Sequence, residues 1–495
     1  MNKIRQILNQ YEKVQIPTNI PLSKDIKQAL PHLKKAMDYI DELYREQQHK
    51  DLPDFYNQIL QNGTEEQKEF MRFFNGPWNE TGKSYFDFPD RKNTCNFYPE
   101  DITEEEFKSY NNPQFQDPCT VIKRNNSLQA VPYHEEYKEY LKNISDELKK
   151  ASDIISDESL KEFLKTKAAS LTDGDYQKAD AKWVQTDAEI DLVLGPYEEY
   201  EDKFMGLKTA YEAILIKVDR ESSKQLQEIE KNVPNLAKFF PLPNNSKTAT
   251  PSQSPIVVGN QLYSTGEAKQ GVMPAALNLP NDPYIRQNYG LKQIMFYNIM
   301  QEKFKHCTSS ILEKLVNEKA DFQPYFYFVV LHEISHGLGP AYRSDGTSCS
   351  NALGKDYAVI EEAKADTGSA NLLLKAGGEY GIPSFDTNAL LKSYFAGLFR
   401  SMRFGISKAH GSANLIQYNW LRKNDVFSHT SKGYQLNPQN FPSAIESLLG
   451  KLCQIEAGES AKEFLETYLT QPEELKQTIE KMEDIPIDIN VEFKK

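Results

Sequence analysis

The sequence predicts an α+β fold, predominantly α-helical, arranged in two lobes. Three observations carry this. The chain has 495 residues, too many for one ordinary compact core. Helical periodicity dominates residues 1 to about 180 and again everything from about 288 onward. Between them lie a few short apolar runs with the character of strands.

In the first helical region, Ile26, Leu30, Leu33, Met37 and Ile40 step by fours and threes and so share one helix face. Residues 88–119, broken by Pro and Asn, read as long loops around a short helix. Residues 188–197 (AEIDLVLGPY) form an apolar run ending in Gly-Pro, which suits a strand and a turn. Residues 231–254 are dense in Pro, Asn and Ser and read as the connection between lobes. The PIVVGNQLYS stretch that follows reads as a strand, a turn and a second strand.

Hydrophobic residues make up 39% and aromatic residues 11%, enough for a substantial core. The formal net charge of −13, from 58 basic and 71 acidic residues, argues against nucleic acid or an anionic membrane as partner. Five well-separated cysteines without a CxxC pair fit neither a disulfide framework nor a cysteine zinc knuckle. With no apolar run of secretory or spanning length, the expected location is cytoplasmic.

The chemistry concentrates in Tyr325–Leu338 (YFYFVVLHEISHGL). On a helix, His332 and His336 stand one turn apart on one face and can reach one ion. Glu333 beside them can act as general base, which is the zincin arrangement. As two core histidines and a buried glutamate, the same residues would carry an unexplained buried carboxylate. A catalytic zinc takes a third protein ligand, and the helix 357–374 supplies Glu361, Glu362 and Asp366. Their spacing leaves open which one ligates and which hold the histidines' second nitrogens. His410, flanked by glycines at 405 and 411, reads by itself as a structural histidine.

Taken in order, these pieces resemble the dipeptidyl peptidase III family of zinc metallopeptidases. Residues 361–366, Glu-Glu-Ala-Lys-Ala-Asp, are similar to the family's Glu-Glu-Cys-Arg-Ala-Glu. The match makes Glu362 the third ligand of one Zn2+ per chain and Glu361 and Asp366 partners of the histidines. Asn278-Leu279-Pro280-Asn281 resembles Asn-x-Pro-Asn, whose asparagines bind substrate. Glu198 to Asp202 resembles Glu-x-Tyr-x-Asp, in which the Glu holds the substrate amino group and the Tyr polarises the scissile carbonyl. His410 matches the histidine that assists the transition state.

The resemblance implies two lobes separated by a cleft. A mixed lower lobe with a small β-core would take 1–210 and 250–290, and a helical zinc-binding lobe 211–249 and 291–495. It implies an exopeptidase that releases dipeptides from the N-terminus of oligopeptides, acting as monomer or weak dimer. A zinc aminopeptidase or oligopeptidase of the same fold is the first alternative, and a peptide-binding protein with a vestigial zinc site the second. Three departures stand out. The motif is HEISH where most members have His-Glu-x-x-Gly-His; the chain is much shorter than eukaryotic members; and Tyr197 rivals Tyr200 for the catalytic tyrosine.

Overall fold

The computed structural model describes residues 3–110, 112–248, 256–431 and 433–494. The chain is α+β and mostly helical. It divides into two compact units. The first comprises Met1–Arg220, Ser254–Ile299 and Ile489–Lys495, the second Glu221–Gln253 and Met300–Asp488. The connection expected over 231–254 lies partly outside the described residues, and its first part is helical at Val233–Leu236.

In the first unit a long helix, Lys24–Gln48, carries the predicted apolar face. Ile26, Leu33, Met37 and Ile40 are buried, with Ala29 taking the place expected of the half-buried Leu30. It packs against Lys138–Ile154 on one side and a sheet on the other. That sheet, among the described residues, has five strands: β1 (Ile190–Glu198), β2 (Ala210–Val218), β3 (Ile256–Gly266), β4 (Ala276–Leu279) and β5 (Lys292–Phe296). The order is β1-β2-β3-β5-β4, antiparallel except for the parallel β3–β5 pair. β1 and β4 are therefore the edges.

Three sequence expectations need correcting here. Gly195-Pro196 is not a turn but lies inside β1, where Pro196 pairs with Tyr211 ahead of a register shift. A proline without an N–H is tolerated because β1 is an edge strand. Gly259-Asn260 is not a turn either, since β3 runs unbroken from Ile256 to Gly266. Gly259 is there for close approach: a Cβ at this position would stand 2.2 Å from Ile216 Cγ2. Finally, residues 292–296 are a strand rather than the start of the helical region. Lys292 is buried because its ammonium reaches Asp191 at 2.8 Å and the Thr186 carbonyl at 2.8 Å.

The second unit is built around Tyr357–Lys375, a helix buried on nearly all sides. Packed on it are the histidine-bearing helix Phe322–Ser335, the helix Ala409–Lys423 that carries His410, and Phe441–Glu456. Close contact is secured at Gly368, where a Cβ would come within 2.3 Å of Phe240 Cζ. Among the described residues no helix is long and apolar enough to cross a membrane.

The Gly259 contact is testable. Gly259→Val forces a side chain into Ile216 and is expected to lower stability by about 1–3 kcal/mol, read as a lower urea midpoint at unchanged slope. An unaltered midpoint would remove the close-approach explanation.

Candidate metal centre

The helix Phe322–Ser335 is apolar almost all round and buries Phe326, Val330, Leu331 and His332. His336 follows as its cap residue in right-handed helical conformation, its N–H 3.3 Å from the His332 carbonyl. The i, i+4 geometry thus survives at the helix end, and the two imidazole Nε2 atoms face each other at 3.2 Å. Glu333 lies beside them, exposed.

The facing helix resolves what spacing left open. Asp366 Oδ1 lies 2.8 Å from His332 Nδ1, and Glu361 Oε1 lies 2.9 Å from His336 Nδ1. An ionised carboxylate can only accept, so each Nδ1 carries a proton, which leaves Nε2 as the nitrogen of each ring that can ligate a cation. Glu362 makes neither of these contacts. Its Oε2 is buried, makes no well-formed hydrogen bond, and stands 3.4 Å from His332 Nε2 and 3.9 Å from His336 Nε2. Burial pushes the Glu362 carboxyl up, but His332 and His410 outweigh it and hold it well below the ordinary carboxylate range.

Two imidazole nitrogens and a carboxylate oxygen therefore converge on one place. His332, His336 and Glu362 have ligand atoms all within 4.8 Å of one another, a set able to hold a metal ion. A buried carboxylate oxygen without a well-formed hydrogen bond, facing the Nε2 atoms of two histidines, favours a cation there, so the residues fit the group that the motif implies.

His410 belongs to this cluster. Its Nδ1 lies 3.1 Å from Glu362 Oε2 and its ring centroid 6.2 Å from that of His332, while its side chain remains 64% exposed. That exposure leaves it able to meet a substrate. Asn414 and Gln417, one and two turns further along its helix, both donate to Asp366 Oδ2, at 3.0 and 2.7 Å. Sequence reasoning passed over these two amides; their i+4 and i+7 spacing from His410 was the available signal.

The remaining sequence-derived candidates lie in the first unit, grouped by β1 and the turns beside it. Asn281 Nδ2 donates to the Tyr197 carbonyl at 3.2 Å and lies 3.4 Å from Glu198 Oε2, and Glu198 in turn bonds Tyr200. Asn278, on edge strand β4, is exposed, and no side-chain hydrogen bond is recorded for it among the described residues. Tyr197 is buried with its hydroxyl engaged by Asp180 at 2.9 Å and Lys167 at 3.1 Å, whereas Tyr200 is 65% exposed. Asp202 anchors the loop. Its carboxylate accepts the N–H groups of Phe204, Met205, Leu207 and Lys208 and the Tyr98 hydroxyl.

Two carboxyls near Tyr200 were not foreseen. Glu212 is buried with Oε1 unbonded, and Glu267 has both oxygens buried and unbonded. Burial, then the Glu198 charge, pushes Glu212 up to about 8. A glutamate inside the apolar strand AYEAILIKV was the signal for it.

A helix-borne His-Glu-x-x-His completed by a carboxylate from a second helix is the ligand architecture of metallopeptidases. The comparisons agree with that class. The model of peptidase family M49 matches residues 114–352. The structure superposes on DPP III from Caldithrix abyssi with a TM-score of 0.93 at 29% identity, covering 99% of each chain. It also superposes on dipeptidyl-peptidase III from Corallococcus sp. strain EGB, with a TM-score of 0.78 at 26% identity, covering 99% of this chain and 96% of the other. A plant protein, Nudix hydrolase 3 of Arabidopsis thaliana, is 29% identical over 445 residues, 81% of this chain and 57% of its own. Dipeptidyl peptidase 3 of Nematostella vectensis is 25% identical over 43% of this chain and 30% of its own. The match to peptidase family M49 covers just under half of the chain. It spans 57% of the plant relative's length and 30% of the sea-anemone one's.

Glu212 generates a pH prediction. Its carboxyl titrates near 8 in the folded state against an ordinary value of 4.5. Between these values the folded chain holds a proton that the unfolded chain has released, so stability falls as pH rises through that window. Glu212→Gln is expected to abolish that loss and raise Tm at pH 8.5 by several degrees while leaving pH 4.5 nearly unchanged. An equal shift at both pH values would contradict the titration of Glu212.

Proposed function

We propose that the chain is a zinc-dependent dipeptidyl peptidase acting on the N-termini of oligopeptides. The observation that carries this is the convergence of His332 Nε2, His336 Nε2 and Glu362 Oε2 at separations of 3.2, 3.4 and 3.9 Å. Ligands held tetrahedrally at zinc distances of about 2.0–2.1 Å stand roughly 3.3 Å apart. Two imidazoles and one carboxylate form the donor set of a catalytic rather than a structural zinc, which leaves one position open.

When bound, zinc supplies Lewis acidity, polarising the scissile carbonyl and acidifying the attacking water. Glu333, adjacent to His332 and exposed, takes that water's proton and delivers it to the leaving amine. Glu361 and Asp366 hold the imidazole tautomers that keep both Nε2 atoms free. His410 donates to the developing oxyanion, a contact typically worth roughly 3–4 kcal/mol of barrier; Tyr200 is the tyrosine to which the family resemblance assigns polarisation of the carbonyl.

Glu198, Asn278 and Asn281 fix the peptide's N-terminus and so count off two residues. The half-buried Glu198 offers a carboxylate to the ammonium group, and the buried carboxyls of Glu212 and Glu267 close by would be drawn toward ionisation by that charge. Edge strand β4 offers an unpaired side for an extended peptide backbone. The two superposing structures bear the names DPP III and dipeptidyl-peptidase III, which supports the two-residue cut. Part of the plant relative lies outside the match, and the activity in its name is not carried over.

The test separates ligands from base. Glu333→Gln is expected to retain one zinc per chain and lose peptide hydrolysis by several orders of magnitude. His336→Ala is expected to lose the metal, measured by atomic absorption after dialysis. Products from an unblocked octapeptide, identified by mass spectrometry, should be dipeptides from its N-terminus. Single amino acids or internal fragments would replace this reading with the aminopeptidase or oligopeptidase alternative.

A further inference from the structure

The two histidines of the metal centre are held unequally. His332 is well packed, its side chain 11% exposed, and its partner Asp366 is fixed by two neutral amides, Asn414 and Gln417. His336 stands at the open end of its helix with its side chain 33% exposed. On the side away from the ligand cluster, its Nδ1 is held by Glu361 Oε1 at 2.9 Å.

What fixes Glu361 is a buried ammonium and, behind it, a buried carboxyl. Its other oxygen, Oε2, accepts from Lys364 Nζ at 3.0 Å, one turn along the same helix. Lys364 is 1% exposed, and its ammonium also faces Glu456 Oε1 at 3.5 Å. Glu456 is fully buried at the last turn of Phe441–Glu456, and neither of its oxygens makes a well-formed hydrogen bond. That helix end is tied down by Arg343 Nε and Cys349 Sγ, both donating to the Glu456 carbonyl, at 3.1 and 3.4 Å.

An ammonium between a carboxylate and a second carboxyl that burial pushes up to about 8 needs a reason in so dry a place. Burying ions is costly, and apolar residues of similar volume serve stability as well or better. The arrangement has a direction: Glu456 holds Lys364, Lys364 holds Glu361, and Glu361 holds His336. Without the ammonium, Glu361 Oε2 would lose the Lys364 donor that holds it at 3.0 Å.

We propose that Lys364 and Glu456 are positioning residues for the metal centre, holding Glu361 so that it keeps His336 in its ligating tautomer and orientation. The inference rests on the zinc-site reading above. Lys364 occupies the place of Arg in the family motif, so an arginine there should serve the same purpose.

The experiment compares wild type, Lys364→Met, Lys364→Arg and the double variant Lys364→Met/Glu456→Gln. Read together are the zinc dissociation constant by chelator competition, Tm of the zinc-free protein, and kcat against KM. Loss of a partner in the layer around metal ligands typically weakens the metal by about 10–100-fold. Lys364→Met should fall in that range, with kcat lowered and KM little changed, and Lys364→Arg should stay within about threefold of wild type.

Lys364→Met also leaves the buried Glu456 carboxyl without its Lys364 partner and should lower Tm. The double variant relieves that burden but does not restore the bond to Glu361. Its Tm should therefore recover while its zinc affinity stays low, which a merely structural role would not produce. Wild-type zinc affinity in the double variant, or affinity that tracks Tm across the set, overturns the proposal. Absence of zinc binding in wild type itself would overturn the zinc reading with it, so the two failures are distinguishable.

Discussion

The second unit is organised by one electrostatic constraint: three lone-pair donors, two imidazole nitrogens and a carboxylate oxygen, are directed at one small space. Such a group repels itself unless a cation is present, so each member must be held from behind. The central helix does this with residues one and four positions from Glu362. Glu361 and Asp366 grip the two Nδ1 atoms, and Glu362 is left for the ion. The polar residues buried behind them, Lys364, Glu456, Asn414 and Gln417, fall into place as the layer that holds those carboxylates. This explains why the helix Tyr357–Lys375 is buried on nearly all sides yet carries three acids.

The first unit shows a related economy with the opposite emphasis. Here Asp202 spends its carboxylate on four backbone N–H groups and a phenol, which shapes the loop behind Tyr200. Glu212 and Glu267 are left without hydrogen bonds in a buried setting. A loop hub fully satisfied and neighbouring acids unsatisfied is the pattern of a rigid frame around a site poised for a positive charge.

What was legible in the sequence follows from how local each signal is. HEISH could be read because i and i+4 depend only on helix geometry, and the acids at 361, 362 and 366 because they share one helix. Their separate roles were not legible, since these depend on which imidazole nitrogen each one meets across a helix interface. Glycine misled twice. Gly195 and Gly259 look like turn residues, but the first sits beside a proline on an edge strand and the second lies against Ile216. Strand β5 escaped notice because Lys292 reads as exposed until Asp191, a hundred residues away, is placed beside it. Glu456 carries no local signal, looking like an ordinary C-terminal glutamate, and Lys364 stands inside the quoted motif without any sign in its spacing of what it holds.

The shortened motif is where this chain departs most from the family pattern, and the geometry shows which residue bears the difference. Glu333 is attached directly to His332, upstream of the missing position, so its relation to the first ligand is unaffected by a residue inserted after Ser335. His336 lies downstream, at the point where the helix ends. An extra residue there must be absorbed by a local bulge, whereas here the His336 N–H still reaches the His332 carbonyl at 3.3 Å. The altered feature is thus the approach of the second ligand rather than the place of the base. A ligand at a helix end has less packing to orient it than one in mid-helix. The Glu361–Lys364–Glu456 chain supplies from the neighbouring helices the orientation that the histidine's own helix no longer provides.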